Sequence, residues 1–227
     1  MTTSISILEG LGIVLAGLTG RFVLFVAGAL ALAVPALAIA WARNAWSNAH
    51  ENARAKVAGL TFREDAFHSP THTWLAPRGD GLAVGIDDFG QRLLPSVTAI
   101  DLPRVGSQVR RGEPVAVLHA GRLSVRILAP VDGEVLAINR RAANDPGVVK
   151  RLHGDAWLFQ VAPAEPSYLS FPRGAAVGAW LTEEKARLAR FMEGEMGLAA
   201  ADGGELPAPS QIGEEGWTRM VRTFLER

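Results

Sequence analysis

A run of 21 residues without a charged side chain, Phe22–Ala42, constrains this 227-residue chain more than any other feature. An apolar α-helix of that length spans about 30 Å, the thickness of the hydrocarbon core of a bilayer. Pro35 interrupts the run, but membrane helices tolerate proline. The preceding residues contain Glu9 and no basic side chain before Arg21, which does not fit a cleaved signal peptide. The sequence therefore predicts a transmembrane helix at 22–42, after an N-terminal segment, 1–21, suited to the membrane interface.

Basic side chains are more frequent after this run than before it. Only Arg21 precedes the run, whereas Arg43, Arg54 and Lys56 are among those that follow it. The positive-inside rule then places the C-terminal part in the cytoplasm. We therefore expect a single-pass protein of the bacterial inner (cytoplasmic) membrane. Residues 43–66 are expected to be a linker, into which the helix continues as far as Gly59.

Composition excludes several classes of function. Lys and Arg number 23 and Asp and Glu also number 23, so the net charge is zero, and a nucleic-acid partner, which requires a basic face, is not expected. The absence of Cys rules out disulfides and sites built on thiolates. The span has no His, so it offers no axial ligand of the usual kind for a haem.

Short apolar runs separated by Gly, Pro and Asp turns dominate the chain after His72. This pattern predicts a mainly β fold, a small sandwich or barrel. The predicted strands are Leu82–Ile86, Val97–Leu102, Pro114–Leu118, Leu123–Leu128, Glu134–Ile138 and Trp157–Val161.

Motifs in this region occur in the order and spacing of a known family. They are His72–Leu75, Val84–Gly90, Leu102–Gly106, Ala129–Val135 and Gly154–Phe159. From about Phe67 to Pro163 the sequence resembles the H protein of the glycine cleavage system. The resemblance implies a lipoyl-type barrel-sandwich hybrid at 67–163, with lipoate carried on a lysine at the tip of a β-hairpin.

The family's lipoyl position, eight residues before the proline that matches Pro130, is Arg122 in this chain. A guanidinium stays protonated and cannot replace a lysine amine in forming the lipoyl amide. The only lysines are Lys56, Lys150 and Lys185, so the region between the first two contains none. Arg122 is therefore interpreted as a degenerate lipoyl position, and neither a lipoyl nor a biotin cofactor is expected.

No arrangement of residues in the sequence indicates catalysis. His68 and His72 have the spacing of a helical metal site, but Pro70 between them disfavours a helix. No nucleophile with its base, phosphate loop or dinucleotide motif is found. We therefore expect neither an enzyme nor a metal site. His119 and Arg122 are candidate partner-binding residues on the hairpin, and an ordinary polar turn is the alternative.

The tail, 164–227, is predicted to contain two helices, from Thr182 to about Met192 and from about Glu214 to Glu226. The second carries an apolar stripe that includes Trp217, Val221 and Phe224. Such a stripe packs either on its own domain or on another subunit. These three residues complete the set of partner-binding candidates.

Together these features suggest a non-catalytic accessory or scaffold subunit of a bacterial membrane complex, in respiratory or photosynthetic electron transfer. Its expected partners are integral membrane subunits and membrane lipids. Two alternatives are a periplasmic adaptor of an export pump and a membrane-bound regulator of lipoyl-pathway enzymes that carries no lipoate itself.

Overall fold

The computed structural model describes residues 33–39, 54–151, 156–196 and 212–227. The chain divides into two compact units, Met1–Asn52 and Ala53–Arg227. In the first unit residues 33–39 are helical, and the rest of the predicted span lies outside the described residues.

The described residues include no helix that is both long enough and apolar enough to cross a membrane. The helix Ala175–Met196 is 22 residues long, but charged side chains such as Glu184 and Arg187 interrupt its apolar surface.

The second unit is mainly β with added helices, as the sequence predicted. Its strands are β1 (Arg54–Val57), β2 (Leu60–Arg63), β3 (Phe67–His68), β4 (Thr73–Arg78), β5 (Gly81–Ile86), β6 (Ala99–Asp101), β7 (Gln108–Val109), β8 (Pro114–Ala120), β9 (Leu123–Leu128), β10 (Gly133–Ile138) and β11 (Trp157–Pro163). Its helices are α1 (Asp88–Leu93), α2 (Arg140–Asn144), α3 (Val148–Arg151), α4 (Ala175–Met196) and α5 (Glu214–Phe224), with a 3-10 turn at Ser167–Ser170.

The strands form three antiparallel groups. One sheet has the order β3-β4-β5-β11-β10-β7, a second has the order β6-β8-β9, and β1 and β2 make a separate hairpin. In the larger sheet β11 lies between β5 and β10, with Phe159 opposite both Val84 and Ile138. Side chains from both sheets meet in one apolar core, to which Val84, Leu118 and Phe159 contribute.

The C-terminal helices complete this core. Val177, Leu181 and Leu188 of α4 are buried in it, and α5 adds Met220 and Phe224. Burial of this apolar area is the main force holding both helices to the sheets.

The segment 54–63 corrects one expectation. Instead of a helix continuing to Gly59, the chain forms the β1–β2 hairpin, with Val57 opposite Leu60. Ala58 and Gly59 both have positive φ angles, of 50° and 80°, as a type I′ hairpin turn requires. The hairpin is stabilised because Leu60 and Phe62 are buried in the core.

One glycine is required by close packing. A Cβ at Gly133 would lie 2.1 Å from the carbonyl oxygen of Ala162 on the paired strand β11. Any larger residue would push β10 away from β11, so this position accepts only glycine.

Candidate functional site

The β8–β9 hairpin is an antiparallel pair with a two-residue turn and a shift of register between Pro114 and Ala116. His119 lies opposite Ser124 and Ala120 opposite Leu123, which leaves Gly121 and Arg122 at the tip. Gly121 has φ +65°, and glycine at the first turn position is what a type II′ turn needs. The structure thus keeps the hairpin that the sequence predicted and places Arg122 at its exposed tip.

Each lysine of the chain lies away from this tip. The half-buried Lys150 donates a hydrogen bond from Nζ to the carbonyl oxygen of Leu94, and burial lowers its pKa. Nζ of Lys185 donates to the carbonyl oxygen of Ala58 at 2.6 Å. Lys56 is exposed on β1. The hairpin therefore presents a guanidinium and no primary amine.

His119 contacts an acidic residue of the neighbouring strand. Its Nε2 lies 2.8 Å from Oδ2 of Asp101 on β6. Both side chains are solvent-accessible, at 38% and 73%, so this contact contributes little to stability. Of the candidate partner-binding residues, His119 and Arg122 are therefore on the surface near the tip.

The other three candidates are buried within the chain. Trp217, Val221 and Phe224 all pack into the core, and Trp217 donates from Nε1 to the carbonyl oxygen of Leu93 at 2.9 Å. Of the two arrangements open from the sequence, the stripe adopts the one in which it covers its own domain.

The docked C-terminus also covers part of the edge strand β9. Glu226 accepts a hydrogen bond from the backbone N–H of Arg126 at 2.8 Å and pairs with the Arg126 guanidinium at 2.7 Å. This contact joins two residues that are 100 positions apart. Between β9 and α5 it leaves an open groove of about 390 Å³.

A second group of functional side chains lies inside the domain. His72 is fully buried, with Nδ1 2.9 Å from Oδ2 of Asp87 and Nε2 3.4 Å from Oε2 of Glu184. Its imidazole stacks between Phe89, at 4.1 Å, and Trp180, at 5.0 Å between ring centroids. We refer to His72, Asp87 and Glu184 as the buried triad.

Local structure fixes both partners of His72. Asp87 follows β5 and caps α1, accepting a hydrogen bond from the N–H of Gly90 at 2.7 Å. His72 itself has φ +59°, a conformation that L residues rarely adopt. Its N–H and C=O are held there by Ser69 and Asp87, at 3.1 and 2.9 Å.

The pKa values of the buried triad favour a positive His72 and negative Asp87 and Glu184. Burial alone would lower the pKa of His72, but the charge of Asp87, the hydrogen bond to it and the nearby carboxylate of Glu184 raise it above its ordinary value. Burial would raise the pKa of Asp87, yet the charge of His72 brings it far below the usual carboxyl range. The pKa of Glu184 is also lowered, despite desolvation, by His72 and Arg187.

This arrangement fastens elements together rather than exposing a reactive group. His72 and Asp87 belong to the sheet region and Glu184 to α4, and Glu184 also pairs with Arg227 at 3.4 Å.

His68 lies 3.8 Å from Asp87 and is not on a helix. Among the residues that the structure describes, no cluster of metal ligands is found. Sequence reasoning considered His68 and His72 only as a helical pair and missed their carboxylate partners.

The chain is similar in sequence to known proteins. The sequence model described as "Glycine cleavage H-protein" matches residues 66–170. The glycine cleavage system H protein of Thermus thermophilus is 37% identical over 103 residues, 45% of this chain and 80% of the relative. That of Methylacidiphilum infernorum is 30% identical over 127 residues, 56% of this chain and 99% of the relative.

A solved structure is also similar. The crystal structure of a glycine cleavage system H protein from Mycobacterium marinum has a TM-score of 0.45 and 23% identity. The match covers 54% of this chain and 99% of the crystallised one.

Two expectations are corrected by these findings. The predicted role as an accessory subunit in respiratory or photosynthetic electron transfer is wrong, because the matched relatives are named as H proteins of the glycine cleavage system. The predicted single-pass localisation in the bacterial inner membrane is wrong as well. It has no support from those relatives, and no helix among the described residues is able to span a membrane.

The resemblance seen in the sequence is confirmed by relatives that align over most of their length. At 37% identity over four fifths of the Thermus thermophilus protein, this chain belongs to the glycine cleavage H-protein family.

Proposed function

We propose that this chain is an H-type protein that carries no lipoyl group and acts by docking on a protein component of the glycine cleavage system. Members of the family are non-catalytic carriers, which agrees with the absence of a catalytic motif from the sequence. The observation that carries the proposal is the intact β8–β9 hairpin with Arg122, and no lysine, at its tip.

The other lysines support the same conclusion. Attachment of lipoate requires an accessible amine on a protruding segment. Lys150 is half-buried and donates a hydrogen bond to the carbonyl oxygen of Leu94. Lys185 donates a hydrogen bond to the carbonyl oxygen of Ala58, and Lys56 lies on the separate β1–β2 hairpin. The hairpin keeps the shape expected for the family but has no amine at its tip. Such a hairpin is suited to recognition by another protein.

Intact-mass spectrometry tests the first half of the proposal. The chain is expressed in cells that lipoylate their own H protein, and we expect it to carry no lipoyl or octanoyl group. The variant Arg122→Lys places an amine at the tip and is expected to be modified. Arg104→Lys, at another exposed position, is the matched control and should stay unmodified. A lipoyl group on any native lysine would refute the proposal.

Affinity capture tests the second half. The tagged chain is incubated with purified aminomethyl-transferring and dehydrogenase components of the glycine cleavage system. We expect one of them to be retained, and Arg122→Glu to weaken retention more than Arg104→Glu does. Retention of no component, with the family's own H protein retained as a positive control, would exclude docking.

A further inference from the structure

The groove between β9 and α5 is lined by more basic than acidic side chains. Its walls are Arg122, Leu123, Ser124 and Arg126 from the hairpin and Glu214, Trp217, Thr218, Val221, Arg222 and Glu226 from the C-terminal segment. Three guanidiniums thus line one groove beside the tip. Within the described residues, two guanidinium N–H groups of Arg126 donate to Oε2 of Glu226, whereas Arg122 and Arg222 form no ion pair within 4 Å. The charge of Arg222 still contributes to lowering the pKa of Glu226.

The shape of the groove restricts its ligand. From Arg122 to Arg126 the strand rises about 13 Å, and from Glu214 to Arg222 the helix rises about 12 Å. This length accommodates about four residues of an extended peptide. Small-molecule sites enclose most of their ligand, whereas this groove of about 390 Å³ is open to solvent.

The charge pattern restricts it further. Guanidiniums bind carboxylates with paired hydrogen bonds, and the hydroxyl of Ser124 adds a donor on the β9 wall. The hydroxyl of Thr218 on the other wall donates to the carbonyl oxygen of Glu214 at 2.8 Å. Glu214 and Glu226 interrupt the positive charge, so a continuous polyphosphate backbone would meet repulsion. A peptide whose carboxylates are separated by small residues avoids those two positions.

We infer that this groove binds an extended acidic segment of the partner protein, with carboxylates on Arg122 and Arg222. The inference rests on the proposed docking function and names the chemistry of the partner at the hairpin. The segment would approach β9 beside the Arg126–Glu226 contact, which holds the second wall in place.

Fluorescence anisotropy of the full chain tests this. The probe is a fluorescein-labelled peptide of alternating Glu and Gly, titrated at low ionic strength, with the corresponding Lys–Gly peptide as the charge control. The double variant Arg122→Gln/Arg222→Gln is expected to weaken binding at least about tenfold, since it removes two charge-assisted contacts. Arg104→Gln/Arg140→Gln removes the same charge at exposed positions elsewhere and should change binding less than about twofold.

A second variant keeps every arginine. Ser124→Glu adds a carboxylate within the groove and should repel the peptide while leaving the unfolding midpoint unchanged. Equal weakening by the groove and control double variants would overturn the inference, as would displacement of the peptide by inorganic phosphate at the same charge concentration. Peptide binding by a chain that proves to be lipoylated would refute only the proposed function. Failure to bind peptide, in an unmodified chain that still captures its partner, would refute only the groove.

Discussion

At the residue scale, the most informative side chains are those whose partners are distant in the sequence. His72 meets Asp87 and Glu184, which lie 15 and 112 positions further along the chain. No local pattern links His72 to Glu184, so this triad could not be predicted. Asp87 and Asp88, which are adjacent in the sequence, form a helix start in which Asp87 caps α1. Arg122, in contrast, lies at the hairpin tip, the place that the spacing shared with the family implies for it. Its interpretation as a degenerate lipoyl position stays a prediction.

Removing one charge of the buried triad should be costly. Asp87→Asn leaves His72 buried beside a neutral group and is expected to lower the free energy of unfolding by about 3 kcal/mol. Asp101→Asn is the matched control, because it breaks the exposed pair with His119 and should cost within about 1 kcal/mol. Urea unfolding followed by circular dichroism measures both values. Equal losses in the two variants would show that burial does not strengthen the His72–Asp87 contact.

The triad also sets a pH dependence. The raised pKa of His72 stabilises the fold fully below 6.5, the ordinary histidine value, and this contribution is lost as pH rises through the raised value. The lowered pKa values of Asp87 and Glu184 stabilise it above their ordinary values, 3.8 and 4.5, and those contributions are lost as pH falls.

All three contributions are therefore complete between about pH 4.5 and 6.5. We expect the urea midpoint of the native chain to be highest in this window and to decline on both sides. In His72→Gln the decline above pH 6.5 should be reduced, because the residue that loses its proton there is absent. An unchanged alkaline decline in that variant would assign the effect to other groups.

At the element scale, the strands were predicted well and the added elements less so. Leu123–Leu128 was predicted with its observed bounds, because alternation and Gly or Pro turns mark both ends. β1 and β2 were missed, because the alanine content of this part of the sequence favours a helix. The strands form because pairing as a hairpin buries Leu60 and Phe62 in the core. The start of α4 was predicted at Thr182, seven residues late, because Ala175–Leu181 has too few polar residues to show helical periodicity.

The docking of α5 can be tested by its apolar face. Phe224 is fully buried against Phe89 and Phe191, with ring centroids 5.8 and 5.7 Å away. Phe224→Ala should lower the free energy of unfolding by about 3–5 kcal/mol. Arg222→Ala, on the exposed face of the same helix, should change it by no more than about 0.5 kcal/mol. Comparable effects of the two variants in urea unfolding would mean that α5 is not part of the cooperative core.

At the scale of the whole molecule, the unit Ala53–Arg227 combines the segment matched by the H-protein family with two C-terminal helices that pack into the same core. The match to the family model ends at residue 170, before α4 begins at Ala175. Both α4 and α5 therefore lie outside the residues that the family model matches. They contribute Leu181, Leu188 and Phe224 to the core and Glu184 to the buried triad. The helical tail was foreseen from the sequence, but not its role as a structural layer of the domain.

Truncation after Ser170 tests whether the family segment is stable without this layer. The cut exposes the apolar surfaces of Phe89 and Leu93, which α5 covers, and leaves His72 without Glu184. We expect the shortened chain to bind a hydrophobic dye and to lose a cooperative urea transition, because the lost apolar burial exceeds the 5–15 kcal/mol by which domains are typically stable. A truncation after residue 211, which keeps α4 and its Glu184, should retain a transition at a lower midpoint. If the chain ending at Ser170 unfolds at the same midpoint as the full chain, α4 and α5 do not contribute to the stability of the fold. Formation of the groove beside the hairpin would then not affect stability either.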